Sequence, residues 1–330
     1  LSSAILFIIG LALVFDFLNG IHDSSNIVAT VISSRAMAPR RILLITAAAH
    51  FAGPFLFGVA VATTIGHEVV SEAAVTLPVI EAALISAIAW NLFTWFFGIP
   101  SSSSHALIGG IMGAVAIESG WGMLRMDGLT KVLAALFVSP ILGLIIGYIV
   151  MKVVLFLARG ASPGVNAVFR RGQWGTALWL GLSHGTNDAQ KTMGIITMAL
   201  LADGVISTFH VPTWVIALSA GAIALGTALG GWRLIRTLGR KFYKIRPVHG
   251  FTSQISSASV ILGAALLGGP VSTTQVVSSS IMGVGSAERV SKVRWGVAGQ
   301  IAAAWVLTIP ATGGVAALVY SIISWIRIAL

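Results

Sequence analysis

No cysteine occurs among the 330 residues, which excludes disulfides, thiolate nucleophiles and cysteine-ligated metals. Charge is nearly as scarce: Asp, Glu, Lys and Arg together make up 9% of the chain, where a soluble domain carries roughly 25%. What fills the space is hydrocarbon, with 56% hydrophobic residues and a mean hydropathy of +0.95. Apolar stretches long enough to cross a lipid core of about 30 Å recur throughout, leaving no segment for a soluble domain. The first, from Ile5, runs into a polar motif at Asp23 with no basic region before it, so it is expected to be a span rather than a cleavable signal.

The few charges are unevenly signed, +10 net, a balance that elsewhere would suggest nucleic acid. Their placement argues for a membrane instead. The apolar runs predict spans at about 3–34, 41–66, 129–158, 176–202, 211–232 and 296–329, with hairpin-like pairs at about 78–118 and 251–287 turning at Pro100 and Pro270. With residue 1 outside, sixteen of the twenty Lys and Arg fall in inside loops, as the positive-inside rule requires, so nucleic acid is not an expected partner. The expected setting is the cell (inner) membrane, crossed many times, with the lipid bilayer itself as a partner.

Polar motifs come in pairs. Gly20-Ile-His22-Asp23-Ser24-Ser25-Asn26 is echoed by Gly185-Thr186-Asn187-Asp188-Ala189-Gln190-Lys191, with the aspartates 165 residues apart. Pro100-Ser101-Ser102-Ser103-Ser104-His105 is echoed by Pro270-Val271-Ser272-Thr273-Thr274-Gln275 at a spacing of 170, and Pro140 and Pro310 repeat at the same interval. Three crossings and a hairpin in the first half start the second half on the opposite side, so the repeats are inverted. The expected fold is therefore an all-α polytopic membrane protein of two inverted repeats, 1–158 and 176–330, joined by a cytoplasmic linker at 159–175, with broken helices and re-entrant helical hairpins.

The paired motifs carry the chemistry. Pro cannot continue a helix but is favoured at the start of one, so Ser102, Ser103, Ser104 and Ser272, Thr273, Thr274 are expected in the first turns of short helices. Such turns offer free N–H groups, hydroxyls and the positive end of the helix dipole. Two of them facing one another form a cage for a tetrahedral oxyanion; ordinary capping is the alternative for either one alone. Asp23 and Asp188 sit in stretches otherwise apolar enough to span, where an ionisable group is costly and functional by default. With Asn26, Asn187 and carbonyls freed by local unwinding, they form an oxygen-only set suited to a hard cation such as Na+. A carboxylate also accepts a hydrogen bond from protonated phosphate but repels sulfate.

Other polar residues carry weaker signals. Lys191 lies three residues beyond Asp188, in reach of a neutralising pair. Asp16, seven residues before Asp23, has Gly181 at the repeat-related position and is either an auxiliary cation site or a cavity-facing group. Gln190 and Glu81 are further candidate cation ligands, with Gln254 near the start of the second hairpin. The histidines lack metal-ligand spacing.

Gly20–Thr30, Pro100–Gly113, Ser183–Leu200 and Pro270–Gly283 together resemble the inorganic phosphate transporter family, the sodium- or proton-driven phosphate permeases. His22 departs from the family's usual Asn at that place. The resemblance implies phosphate uptake, a homodimer and no cofactor beyond the coupling ion. The combined expectation is a Na+-coupled importer of inorganic phosphate. The oxyanion would be held by Asp23, Asp188 and the two hairpin tips, and Na+ by Asp23, Asn26, Asn187 and Asp188, with Gln190 and Glu81 beside them. Proton-coupled phosphate or metal-phosphate symport and sulfate transport are the alternatives within the class. An intramembrane Ser–His–Asp hydrolase is the alternative outside it, disfavoured because catalysis needs one activated serine rather than duplicated polar groups.

Overall fold

A computed structural model describes residues 1–232, 235 and 244–329. The helices are α1 (Ser3–Ser33), α2 (Pro39–Phe57), α3 (Ala60–Thr63), α4 (Leu77–Phe97), α5 (Ser103–Glu118), α6 (Met126–Leu157), α7 (Val165–Ala202), α8 (Thr213–Leu229), α9 (Pro247–Leu266), α10 (Thr273–Glu288) and α11 (Trp295–Ala329). Among the described residues four helices, α1, α4, α6 and α11, are long and apolar enough to cross a membrane alone. The chain is a polytopic, all-α membrane protein. Four expected loop cations, Arg233, Arg236, Arg240 and Lys241, lie outside the described residues.

The duplication governs the packing. The hairpin α4–α5 of the first half packs on α11 of the second, and the hairpin α9–α10 of the second packs on α6 of the first. Each half thus completes the other. Gly20 and Gly185, equivalent across the repeat, let α1 approach α8 and α7 approach α2. A Cβ on Gly20 would stand 2.2 Å from the Ile223 carbonyl oxygen, and one on Gly185 2.3 Å from that of His50. His105 and Gln275, equivalent by 170, touch one another at 3.4 Å, so they lie where the two halves meet about their common axis. Both hairpins end their first helix at a left-handed glycine, Gly98 (φ 66°) and Gly268 (φ 72°), two residues before Pro100 and Pro270. Glycine adopts that conformation without the steric cost other residues meet.

Several expectations are corrected. α1 and α7 run unbroken through both aspartates, so no unwound carbonyls accompany them. Oxygen ligands there must come from side chains and the hairpin tips. The break lies instead between α2 and the segment Ala60–Glu68, where the chain bends 77° at Gly58 (φ 83°). The span expected at 41–66 is therefore a bent one. α7 begins at Val165, so residues 165–175 of the expected linker are helical. Pro100 and Pro270 do not start helices: α5 begins at Ser103 and α10 at Thr273, each after a capping serine. Pro140 and Pro310 lie inside α6 and α11.

Candidate functional site

Four elements converge at the middle of the molecule: α1 with Asp23, α7 with Asp188, and the tips preceding α5 and α10. Ser102 accepts from the His105 N–H at 3.1 Å and Ser272 from the Gln275 N–H at 3.4 Å, so both are N-caps. Capping fixes the first turn with its remaining N–H groups unspent by the helix. The tips also touch one another, with the Ser104 hydroxyl donating to the Val271 carbonyl at 2.9 Å.

The second tip reaches both aspartates. Thr274 donates to Asp23 Oδ1 at 2.9 Å, and the Thr273 hydroxyl lies 3.4 Å from Asp23 Oδ2 and 3.2 Å from Asp188 Oδ2. One hydroxyl therefore stands between the carboxylates of the two halves. Asn26 adds a donor to Asp23 Oδ1 at 2.7 Å and another to Thr274 at 3.0 Å. Asn187 donates to Asp188 Oδ1 at 2.9 Å and to the Val271 carbonyl at 3.0 Å, while its own Oδ1 takes the Val271 N–H at 3.2 Å. That side chain pins the entry to the second tip.

The pairing expected from the spacing of Asp188 and Lys191 is present: Nζ donates to Asp188 Oδ1 at 2.6 Å, both side chains fully buried. The 165-residue offset that maps Asp23 onto Asp188 also maps Asn26 onto Lys191 and His22 onto Asn187. The second half thus carries a tethered ammonium where the first has an amide. On the first half's side, His22 Nε2 lies 3.4 Å from Thr94 Oγ1, to which Ser101 donates at 2.8 Å. Thr94 and Ser101 escaped sequence reasoning because only folding brings them to His22. His184 was passed over for want of metal spacing, yet its Nδ1 is 3.5 Å from Asp188 Oδ2, an i,i+4 relation visible in the sequence.

Two expected ligands lie elsewhere. Glu81 faces Arg327 at 3.6 Å on the far end of α4, an ion pair that keeps it out of the centre. The Gln190 amide caps the helix break: its Oε1 accepts from Val61 N at 2.7 Å and Ala62 N at 3.1 Å, and its Nε2 donates to the Gly58 carbonyl at 2.6 Å. Those bonds commit its oxygen to backbone. The remaining candidates are all buried, Ser103 being the most exposed at 7%.

This arrangement can hold an oxyanion between helix termini and cations beside paired carboxylates. Residues 19–316 match the "Phosphate transporter family". Two proteins named "Probable low-affinity inorganic phosphate transporter" are similar over nearly their full length. That of Rhizobium meliloti is 45% identical over 95% of this chain and 94% of its own, and that of Bacillus subtilis 44% identical over 96% of each. A solved structure described as "The sodium-dependent phosphate transporter" superposes with a TM-score of 0.88 at 24% identity, covering 98% of this chain and 100% of that one, and shares its fold. A transporter family answers the hydrolase alternative. With its duplicated aspartates, its facing hairpin tips and a family match across the repeat, the chain belongs to the phosphate transporter family.

Proposed function

We propose that the protein imports inorganic phosphate by symport with Na+, holding the oxyanion between the tips at Ser102–Ser104 and Ser272–Thr274. The observation that carries this reading is the Thr273 hydroxyl placed between Asp23 and Asp188. It marks a point where the N-terminal turn of α10 meets a carboxylate from each half. An incoming phosphate takes the tip hydroxyls and first-turn N–H groups as donors. The same anion beside two carboxylates is strongly unfavourable unless cations bind with it, and Asp23, Asn26, Asn187 and Asp188 supply oxygens for them. Partly loaded forms then leave charge uncompensated in the membrane, so only the empty and fully loaded forms cross readily. The names of the relatives and of the superposed structure support phosphate as cargo and Na+ as driver, and the homodimer implied by the family resemblance belongs to this reading.

A second reading has its own support. Lys191 already places a positive charge against Asp188, which removes one demand for an external cation and favours proton-coupled or metal-phosphate symport. Uptake of radiolabelled phosphate into proteoliposomes, with Na+ and proton gradients imposed separately, tests both. Accumulation driven by Na+ alone supports the first; accumulation driven only by protons, with Na+ absent, transfers the coupling to the second. Uptake suppressed by sulfate as effectively as by unlabelled phosphate overturns phosphate selectivity.

A further inference from the structure

Among the described residues the buried carboxylates and ammonium groups are Asp16, Asp23, Asp188 and Lys191. Lys191 answers Asp188 at 2.6 Å, and Asp23 is hydrogen-bonded by Asn26 and Thr274. Asp16 has no such answer: it is fully buried, and neither carboxylate oxygen accepts a hydrogen bond. Asn19, on the same face three residues on, is also fully buried with both amide atoms unpartnered. From α7 the Thr192 hydroxyl faces Asp16 without closing a hydrogen bond, and it too is buried and unpartnered. A bare carboxylate in the membrane is expensive, and here it is surrounded by amide and hydroxyl oxygens that have found no other use.

We propose that Asp16, Asn19 and Thr192 form a second cation station, external to the phosphate site, that takes a hard monovalent cation, Na+, on its way to Asp23. Asp16, Asn19, Asp23 and Asn26 recur at helical spacing along one stripe of α1. Seven residues at about 1.5 Å rise set the station about 10 Å from Asp23. With residue 1 outside, as the loop cations imply, the station lies on the side from which the driving ion arrives. Carboxylate, amide and hydroxyl oxygens make a donor set for a hard cation, with no nitrogen or sulfur ligand required. The buried ammonium of Lys191 is held by Asp188 and so competes little. In the first half's own repeat partner this position is Gly181, which explains why the station occurs once.

The inference rests on Na+ being the coupling ion, and the test separates the two. Equilibrium binding of radiolabelled Na+ to the purified full chain in detergent, without phosphate, is measured for wild type, Asp23→Asn, Asp16→Asn and the double variant. The expected result is that Asp23→Asn keeps saturable Na+ binding and the double variant loses it. Thr192→Val, which alters no charge, is expected to weaken that remaining binding about fivefold, the loss of one oxygen ligand. If Asp23→Asn alone abolishes binding that wild type shows, or if the binding that Asp23→Asn keeps is unchanged on adding either Asp16→Asn or Thr192→Val, the outer station is overturned while Na+ coupling stands. A wild-type protein that binds no Na+ overturns both.

Discussion

Replacing Asp188 by Asn removes the partner of an ammonium with no exposed surface, since Lys191 Nζ donates to Asp188 Oδ1 at 2.6 Å with both side chains fully buried. Breaking a buried pair from one side leaves an uncompensated charge and costs about 3–5 kcal/mol. Asn187 still reaches a neighbouring amide oxygen at position 188, but an amide oxygen cannot offset a full positive charge. The single variant is therefore expected to unfold at a markedly lower temperature, and any loss of uptake by it is ambiguous. The double variant Asp188→Asn/Lys191→Met removes both charges and replaces the long side chain with an apolar one of similar reach. It is expected to recover most of the wild-type thermal stability, measured by intrinsic tryptophan fluorescence in detergent. Uptake in proteoliposomes should nevertheless stay near background, because the carboxylate proposed to organise cation and phosphate is gone. A double variant that is stable and also accumulates phosphate at the wild-type rate would show the pair to be a structural clasp, and the reasoning that puts Asp188 in the coupling machinery would fail.

Asp23→Asn should behave differently, since its partners are neutral: the amide oxygen can still accept from Asn26 and Thr274, so stability is kept while concentrative uptake is lost. Uptake at the normal rate would contradict a coupling role. Thr273→Ala should weaken phosphate binding by about 1–2 kcal/mol, roughly 5- to 30-fold, because one charge-assisted hydrogen bond is lost while first-turn N–H groups remain. Isothermal titration with phosphate checks this, and an unchanged affinity in the double variant Ser103→Ala/Thr273→Ala would mean the tips do not hold the anion. Sidedness follows from the helix order and the absence of native cysteine. A membrane-impermeant thiol reagent applied to intact cells should label Ser119→Cys, in the loop before α6, and spare Ser162→Cys, between α6 and α7; labelling of both from outside would contradict the inverted arrangement.

The sequence by itself determined the membrane setting, the duplication and the aspartates, because each is written in local chemistry. Apolar run length sets what can cross a bilayer, loop cations set orientation, and a carboxylate inside such a run has few structural excuses. The same locality let the spacing of Asp188 and Lys191 announce their pair, since three residues along a helix share a face. Where the helices break was not legible. The break was expected beside Asp23 and Asp188, whose neighbours are polar, but α1 and α7 stay helical there because side chains from the tips satisfy the carboxylates. It falls instead at Gly58, where Gln190, 132 residues away in sequence, takes up the orphaned backbone groups. Glu81 stood as a further candidate cation ligand until packing put it against Arg327. Burial without a partner is likewise a property of three-dimensional neighbours, so only the tertiary structure could show that Asp16, Asn19 and Thr192 share a place. A side chain's type is fixed by the chain, but whether its charge is answered depends on what the other half brings against it.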